Sequence, residues 1–498
     1  MSDLFISIDQ AESNLLSCAA YLAERVKSSD GHAAAMSGIV PRYLAKGNVD
    51  LAAELSNAVD DPYSRDRLLI AVAEKCAAVN DDEYALQLAD AIEDIGLQAQ
   101  ALERIGLALA ASGNTEKASD VAAGMAHPDF VYAGIAVNEL AVGNDAGADA
   151  TVEEIEFPTA RVFAFQQMAS TEIENGKPEK AIGRLDRAAE TAAEIEHNEE
   201  KIRAFCDIGS AFTEAKRNDR AIETFYIARG FAEVLDNQHR DDFLAVCSLG
   251  FLSAGSGELA DRTLDLVTDK TQLGSALVGF ARDHWKKEEK DEALDALEEA
   301  FAIVNSQRET ETRDSRARNG LLASIATQFA GFGKTERGVE IALENPDPNE
   351  KTAALAEIAR ILTIQKNDDL ARQTINAVAD DADRLFALVG MSDVKSKELK
   401  DLAAAEALLD EAATLADAIE QPSLRSNALN EIAERYAKLD KGEKTAAVSL
   451  ENLRVIAGIR DESNQAILLA HLSRIYEDAE IDIGETEKSI LQSITRKL

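Results

Sequence analysis

A single spacing rule recurs through most of this chain. An apolar residue is followed eight residues later by a turn-type residue and, in most cases, five residues after that by Ala. We call the apolar residues landmarks; they are Ile39, Val72, Ile105, Ile135, Met168, Ile208, Cys247, Phe280, Ile325, Ile358, Val389 and Ile432. Their separations lie between 30 and 45 residues and are most often 33. A period near 33 residues is typical of stacked helix pairs, so the sequence predicts one long repeat array.

The composition favours an all-α fold. Hydrophobic residues make up 46% of the chain, but aromatic residues only 5%, and there are 8 prolines in 498 residues. The alternation of β-branched and polar residues that predicts strands is absent. We therefore expect a right-handed α-solenoid of about twelve antiparallel helix pairs over residues 31–462. A capping helix at 1–30 and capping helices at 463–498 are expected at its ends.

The turn-type residues mark where the first helix of each pair should end. They are Gly47, Asn80, Gly113, Gly143, Gly176, Lys216, Gly255, Glu288, Gly333, Lys366, Lys397 and Asp440. Half of them are glycine, which suits a helix end that requires a positive φ.

These residues resemble the pattern of the tetratricopeptide repeat (TPR) family. The apolar–small pair of its first helix matches Ile325–Ala326, its turn glycine matches Gly113, and its small residue early in the second helix matches Ala118. The resemblance covers residues 31–462 and implies a TPR-like superhelix. The aromatic residue that opens the family's first helix is mostly missing, and the proline near the end of the repeat occurs in only some units. A related helical-pair repeat, such as the HEAT type, is therefore the alternative.

The net charge restricts the classes of partner. The chain carries 91 acidic and 52 basic residues, a formal charge of −39. This charge repels DNA, RNA and anionic lipid, because binding to phosphates relies on Lys and Arg displacing counterions. Two interpretations of the acidity are open. One is a solvated, halophilic surface adapted to a salty cytoplasm, and the other is an acidic surface that attracts basic proteins.

The same sequence contains no signal for export or for a membrane span. The four cysteines are widely separated and suggest a reducing compartment. No stretch approaches 18 consecutive apolar residues, and no basic region precedes an apolar core at the amino terminus. We expect a cytoplasmic protein.

Catalytic and cofactor motifs are not evident. The triplet Gly333-Lys334-Thr335 resembles part of a phosphate-binding loop, but position 328 is Gln where that motif needs Gly, and a helix is predicted before it. The repeat itself explains Gly333 as a turn and Thr335 as a helix start. The six histidines show no metal-binding spacing. We predict neither an enzyme nor a cofactor or metal site.

The TPR resemblance implies a groove lined by the first helix of each pair. Its ligand-facing positions lie at about −5, −2, +2, +5 and +6 from the landmark. Basic residues at these positions, together with the tryptophan found there, are the candidate partner-binding residues, namely Arg203, Arg282, Trp285, Lys286, Arg360 and Arg384. Trp285 is the only tryptophan in the chain. The alternative for this side chain is ordinary packing between two units.

The function predicted from these observations is a non-enzymatic scaffold or adaptor that binds a protein or peptide in the groove. Two alternatives stay open at this point. An assembly chaperone for basic proteins would use the acidic surface, and a helical-repeat regulator would bind a small ligand in a polar pocket.

Overall fold

A computed structural model describes residues 5–306 and 315–496 of the chain. All of the regular secondary structure in these residues is α-helical. In chain order the helices are α1 (Ile8–Ala11), α2 (Leu15–Ala23), α3 (Ser29–Ala45), α4 (Val49–Asn57), α5 (Pro62–Ala78), α6 (Asp82–Asp90), α7 (Ile95–Ala111), α8 (Thr115–Ala123), α9 (Asp129–Ala141), α10 (Asp145–Glu153), α11 (Pro158–Glu174), α12 (Pro178–Ala192), α13 (Asn198–Glu214) and α14 (Asn218–Glu233). They continue with α15 (Arg240–Ser253), α16 (Gly257–Leu264), α17 (Lys270–Lys286), α18 (Lys290–Asn305), α19 (Ser315–Gly331), α20 (Thr335–Glu344), α21 (Pro348–Ile364), α22 (Asp368–Asn376), α23 (Asp381–Lys397), α24 (Leu402–Ala416), α25 (Pro422–Lys438), α26 (Gly442–Ala457), α27 (Glu462–Asp478) and α28 (Glu485–Thr495).

The chain divides into two compact units. Unit 1 comprises Met1–Ala101 and Leu355–Leu498, and unit 2 comprises Leu102–Ala354. The first and last parts of the sequence therefore belong to the same unit, and the middle of the sequence forms the other.

The predicted helix pairs are confirmed. Each of the twelve landmarks lies in the first helix of a pair, which we call helix A, and a second helix, helix B, follows it. Every landmark is at most 5% exposed. Because residues three and four apart share one face of a helix, a fixed landmark position fixes which face of each helix A is buried. The described chain is thus an all-α repeat of stacked helix pairs.

The turns within the pairs follow the sequence prediction in eleven of twelve cases. The predicted residue has a positive φ in each of these, including the non-glycine Lys216 at 59°. The carbonyl of Phe212 accepts a hydrogen bond from the N–H of Arg217, which closes the end of α13. The exception is the turn predicted at Lys397. α23 continues through Lys397, and the positive φ falls at Lys400 instead.

Replacing Lys216 by glycine should stabilise the protein. A non-glycine residue in the left-handed region costs roughly 1–2 kcal/mol, which glycine avoids. Glycine also loses more backbone entropy on folding, and this offsets part of the gain in stability. We expect the free energy of unfolding to rise by about 0.5 kcal/mol in urea titrations followed by circular dichroism. Gly113→Ala, at φ 84° with open space around the added Cβ, is the matched reverse change and should lower it by about 1 kcal/mol. A loss of stability in Lys216→Gly would contradict this account.

Three buried aspartates join successive repeats. Asp66, Asp129 and Asp241 each lie six residues before a landmark, and each is less than 9% exposed. Each carboxylate accepts hydrogen bonds from the two backbone N–H groups that directly precede the next helix A; for Asp66 these belong to Glu93 and Asp94, at 3.2 and 3.1 Å. The free N–H groups at a helix start need acceptors, and here the preceding repeat supplies them.

Ion pairs link helices B of successive repeats. In unit 2 the guanidinium of Arg337 in α20 lies 3.1 Å from the carboxylate of Glu298 in α18, and its carbon lies 4.7 Å from the Phe301 ring. In unit 1 Arg372 in α22 lies 2.7 Å from Glu411 in α24. Exposed pairs of this kind contribute little each, about 0–1 kcal/mol. These ion pairs nevertheless hold basic side chains such as Arg337 and Arg372 on the helix B side of the stack.

The two ends of the described chain pack against each other in unit 1. α27 lies between α25 and α3 and makes its most extensive contact with α2. Ser463 at its start donates a hydrogen bond to the carbonyl of Gly31, at 2.6 Å, and Glu477 near its end pairs with Arg42, at 2.8 Å. The two end segments, expected from the sequence to be separate caps, are in contact with each other.

α27 itself follows the repeat rule. Leu472 is fully buried, and Glu480, eight residues later, has a positive φ of 51°. α27 is therefore a thirteenth helix A, and its neighbouring helix B is α2 from the other end of the chain. We call this arrangement the composite repeat.

Candidate partner-binding surface

The helices A of unit 2 line its concave side. Each of α9, α11, α13, α15 and α17 packs on the next helix A, whereas no two successive helices B in the described part of unit 2 make a comparable contact. A stack that touches mainly through one helix of each pair curves toward that helix. Side chains at −5, −1, +2 and +6 from the landmark share one face of helix A and are called here the concave face.

Two exposed phenylalanines lie on the concave face. Phe130 in α9 and Phe163 in α11 both occupy position −5, and they are 45% and 42% exposed. Their ring centroids lie 5.9 Å apart in an edge-on arrangement. Val246 at position −1 of α15 is 46% exposed. Large apolar side chains that share an exposed face are characteristic of binding surfaces, because water contact with them is unfavourable.

Arg203, one of the predicted residues, continues the same row on α13. Its side chain is exposed, and Asp207 lies one helical turn further along. Within the described residues neither side chain forms an ion pair within 4 Å. Asp207 is exposed, but neighbouring groups displace part of the water around its carboxyl, which raises its pKa, and the charge of Arg203 opposes this only in part.

Arg282, Trp285 and Lys286 lie near the end of α17 in the same unit. The indole of Trp285 is half-buried and stacks on Phe332 of the next repeat, with centroids 4.2 Å apart and an angle of 10° between the rings. Arg282 donates a hydrogen bond to the Ser324 hydroxyl, at 3.3 Å, and Lys286 is exposed. Trp285 thus packs between two successive repeats of unit 2, which is the alternative that the sequence left open for it.

Arg360 and Arg384 belong to unit 1. Arg360 donates two hydrogen bonds to Glu357, at 2.8 and 2.7 Å, and Arg384 bonds to Asp381 on its own helix. Both guanidinium groups are held by an acid three residues earlier. The six predicted residues therefore lie in two different units and do not form one cluster within either.

Unit 1 contains a separate cavity of about 330 Å³ between α3, α23, α25 and α27. Its lining includes Arg42, Phe386, Asn430, His471 and Arg474. The surrounding protein, together with the charges of Arg474 and Arg42, lowers the pKa of His471. Arg42 and Arg474 are already paired with Glu477 and Glu434, at 2.8 Å each.

The cavity residues were missed at the sequence level because α27 was assigned to a cap. The spacing from Leu472 to Glu480 was the available signal, since it repeats the landmark-to-turn interval. With Leu472 as a landmark, Arg474 occupies position +2. The phenylalanines of unit 2 were missed for another reason: only basic residues and tryptophan were sought at position −5.

Two negative findings apply to the described residues. No group of three or more His, Cys, Asp or Glu side chains in residues 5–306 and 315–496 is placed to hold a metal ion. In the same residues no helix is both long and apolar enough to cross a bilayer. Gly333 has a φ of 78°, and α20 begins at Thr335, so the Gly-Lys-Thr triplet is a repeat turn, as predicted.

No model of a known protein family matches the chain, and no curated protein sequence matches it. Among solved structures the chain is similar to Naa15/Naa10 bound to HypK-THB, at 14% identity over 97% of this chain and 81% of that chain, with a TM-score of 0.31. It is also similar to the apo form of the quorum sensor NprR from B. thuringiensis, at 13% identity over 65% and 97% of the chains, with a TM-score of 0.26. A third match is an IFIT1 monomeric mutant with Gppp-AAAA, at 11% identity over 77% and 90% of the chains, with a TM-score of 0.24. Such low scores carry no argument about function.

Proposed function

We propose that this protein is a non-enzymatic scaffold or adaptor that binds a protein or peptide on the concave face of unit 2. The observation that supports this most directly is the pair of phenyl rings at Phe130 and Phe163, exposed side by side on neighbouring helices A. A rigid helical stack presents such a surface already formed, so a partner binds without the cost of ordering it. The relation to the TPR family is part of the same proposal.

The proposed partner is a protein, not a nucleic acid or an anionic membrane. A chain with 91 acidic and 52 basic residues lacks the excess of Lys and Arg that phosphate binding requires. Many of its basic groups are already paired with acids, as Arg337 is with Glu298. All four cysteines are free and buried, which suits a reducing cytoplasm.

The test is affinity capture from cells of the source organism with immobilised wild-type protein and a Phe130→Ser, Phe163→Ser double variant. An anchoring aromatic residue at a binding hot spot contributes about 2 kcal/mol or more, so even if only one of the two acts as an anchor we expect the variant to retain at least about 30-fold less of a specific partner. The matched control is Tyr226→Ser, an equally large side chain that is 61% exposed on α14, a helix B. The control should capture the partner as the wild type does.

Two outcomes would redirect the proposal. If the double variant captures the same proteins as the wild type and these are basic proteins released by moderate salt, the acidic chaperone alternative gains support. If no protein is enriched but a small molecule copurifies, the alternative of a regulator that binds a small ligand gains support. Circular dichroism melting curves of all variants establish that any loss of capture does not come from unfolding.

A further inference from the structure

The concave face of unit 2 changes character along its helices. On α11 the exposed side chains at positions −5, −1, +2 and +6 are Phe163, Gln167, Ser170 and Glu174. On α13 they are Arg203, Asp207, Ser210 and Glu214. The surface is therefore aromatic near the amino-terminal ends of these helices, where Phe130 adjoins Phe163, and acidic toward their carboxyl-terminal ends.

Glu174 and Glu214 occupy unfavourable places for the protein alone. Each is the last residue of its helix, where the unpaired carbonyl groups already carry partial negative charge. A carboxylate at this end of a helix lowers stability slightly, and a basic residue would be preferred there. Among the described residues neither Glu174 nor Glu214 has an ion pair within 4 Å. Asp207 has no ion pair within 4 Å among these residues either, although the charge of Arg203, one helical turn away, acts on it.

We infer that the concave face of unit 2 binds an extended segment of a partner protein that carries one large apolar side chain followed by two basic ones. The inference rests on the proposed function and specifies the partner's chemistry. Phe130 and Phe163 contact the apolar side chain, and Asp207 pairs with the first basic group. Glu174 and Glu214 pair with the second basic group. The same partner segment then makes aromatic contacts near the amino-terminal end of α11 and ion pairs toward the carboxyl-terminal ends of α11 and α13.

The helices also set the spacing within this segment. Positions −5 and −1 lie about 6 Å apart along a helix, and positions −5 and +6 about 16 Å apart, at 1.5 Å per residue. An extended chain advances about 3.3 Å per residue. Asp207 lies on the helix next to that of Phe163, about 9 Å to the side, so it is about 11 Å from that phenylalanine. The basic side chains should therefore follow the apolar one at about three and about five residues.

The probe is a set of fluorescein-labelled peptides of Gly and Ser that carry one Phe and two Lys. The Phe–Lys separations vary from one to eight residues, in both chain directions. We expect the tightest binding, by fluorescence anisotropy, at separations near three and five in one direction. Replacing both Lys by Glu should abolish binding. Raising the salt from 0.05 to 0.5 M should weaken it at least about tenfold, because the charges become screened.

The protein variant is the triple change Glu174→Gln, Asp207→Asn, Glu214→Gln. It should weaken the best peptide about 100-fold, with melting at or above the wild-type temperature because two unfavourable carboxylates leave helix ends. The matched control is Glu190→Gln, Glu194→Gln, Glu196→Gln, which removes the same charge at exposed positions on and after α12. This control should bind the peptide as the wild type does.

The outcomes separate this inference from the proposed function. If Phe130→Ser, Phe163→Ser weakens binding but the triple change and salt do not, the concave face is a binding surface and the inferred basic chemistry is wrong. If none of these changes affects any peptide or captured protein, the proposed function itself is wrong. If the triple variant melts below the wild type, the carboxylates are structural and the inference fails.

Discussion

Deleting residues 1–27 should leave unit 1 unable to fold cooperatively. The deletion removes α2, in which eight of nine side chains are buried, among them Leu15, Leu16 and Leu22 at 2% exposure or less. Each fully buried leucine contributes about 1.5–3 kcal/mol, and a domain is stable by only about 5–15 kcal/mol in total. We expect urea titration to show loss of the unit 1 transition, and limited proteolysis to cleave residues 355–498 first. The single change Leu22→Ala should cost about 2–5 kcal/mol.

A circular permutant provides the control for this deletion. Arg496 lies 3.7 Å from Glu12, so a Gly/Ser linker in place of residues 1–4 and 497–498 can join Arg496 to the segment before α1, while new ends open between Glu196 and His197, in the exposed connection before α13. All contacts of the composite repeat are retained in the permutant, and its unfolding midpoint should match that of the wild type. A deletion variant that unfolds at the wild-type midpoint would show that α2 contributes no stability to unit 1.

The second large effect is expected from Asp241→Ala. The carboxylate of Asp241 accepts hydrogen bonds from the N–H groups of Thr268 and Asp269 and from the Thr268 hydroxyl, at 2.6–2.8 Å, and it pairs with Arg240 at 2.7 Å. Removing it leaves two N–H groups at the start of α17 without acceptors and Arg240 without its partner. The expected loss is about 3–5 kcal/mol in free energy of unfolding, measured by urea titration. Asp242→Asn, at the neighbouring half-buried position, should cost less than about 1 kcal/mol.

The pKa of Asp241 determines how the stability lost on substitution changes with pH. Burial tends to raise the pKa of Asp241, but the hydrogen bonds from Asp269 and Thr268 and the charge of Arg240 outweigh it and hold the pKa below its usual range. A carboxyl whose folded pKa is depressed contributes stability above its unfolded pKa and loses it as the pH falls through the folded pKa. The stability difference between wild type and Asp241→Asn should therefore be constant from pH 5 to 7 and shrink below about pH 4. A difference that grows on acidification would contradict this assignment.

The sequence was sufficient for the helix pairs because each repeat packs mainly on its neighbours. Local spacing therefore determines the landmark and the turn. Lys397 and Lys400 show the limit of this rule: both are Lys, and the number of turns that α23 completes depends on its tertiary packing. The pairing of α2 with α27 could not be predicted, because no periodicity relates segments about 440 residues apart in sequence.

The candidate site was predicted less well than the fold, for an identifiable reason. The choice of basic residues included Arg203, on the proposed face of unit 2, but also Arg360 and Arg384, which are paired with Glu357 and Asp381 one helical turn earlier. That pairing was readable from the sequence, since side chains three apart are neighbours on a helix. The place of Phe163 at position −5 was also readable, but a phenylalanine in an amphipathic helix is more often buried, so it was not selected.

The composite repeat has a consequence for synthesis of the chain on the ribosome. Residues 15–23 are translated about 440 residues before residues 462–478, an interval of roughly 20–90 s at 5–20 residues per second. During that time α2 has no α27 to pack on, so its apolar side chains stay exposed or are covered by another protein. Completion of unit 1 thus waits for the last part of the chain, whereas all of unit 2 has been translated by then.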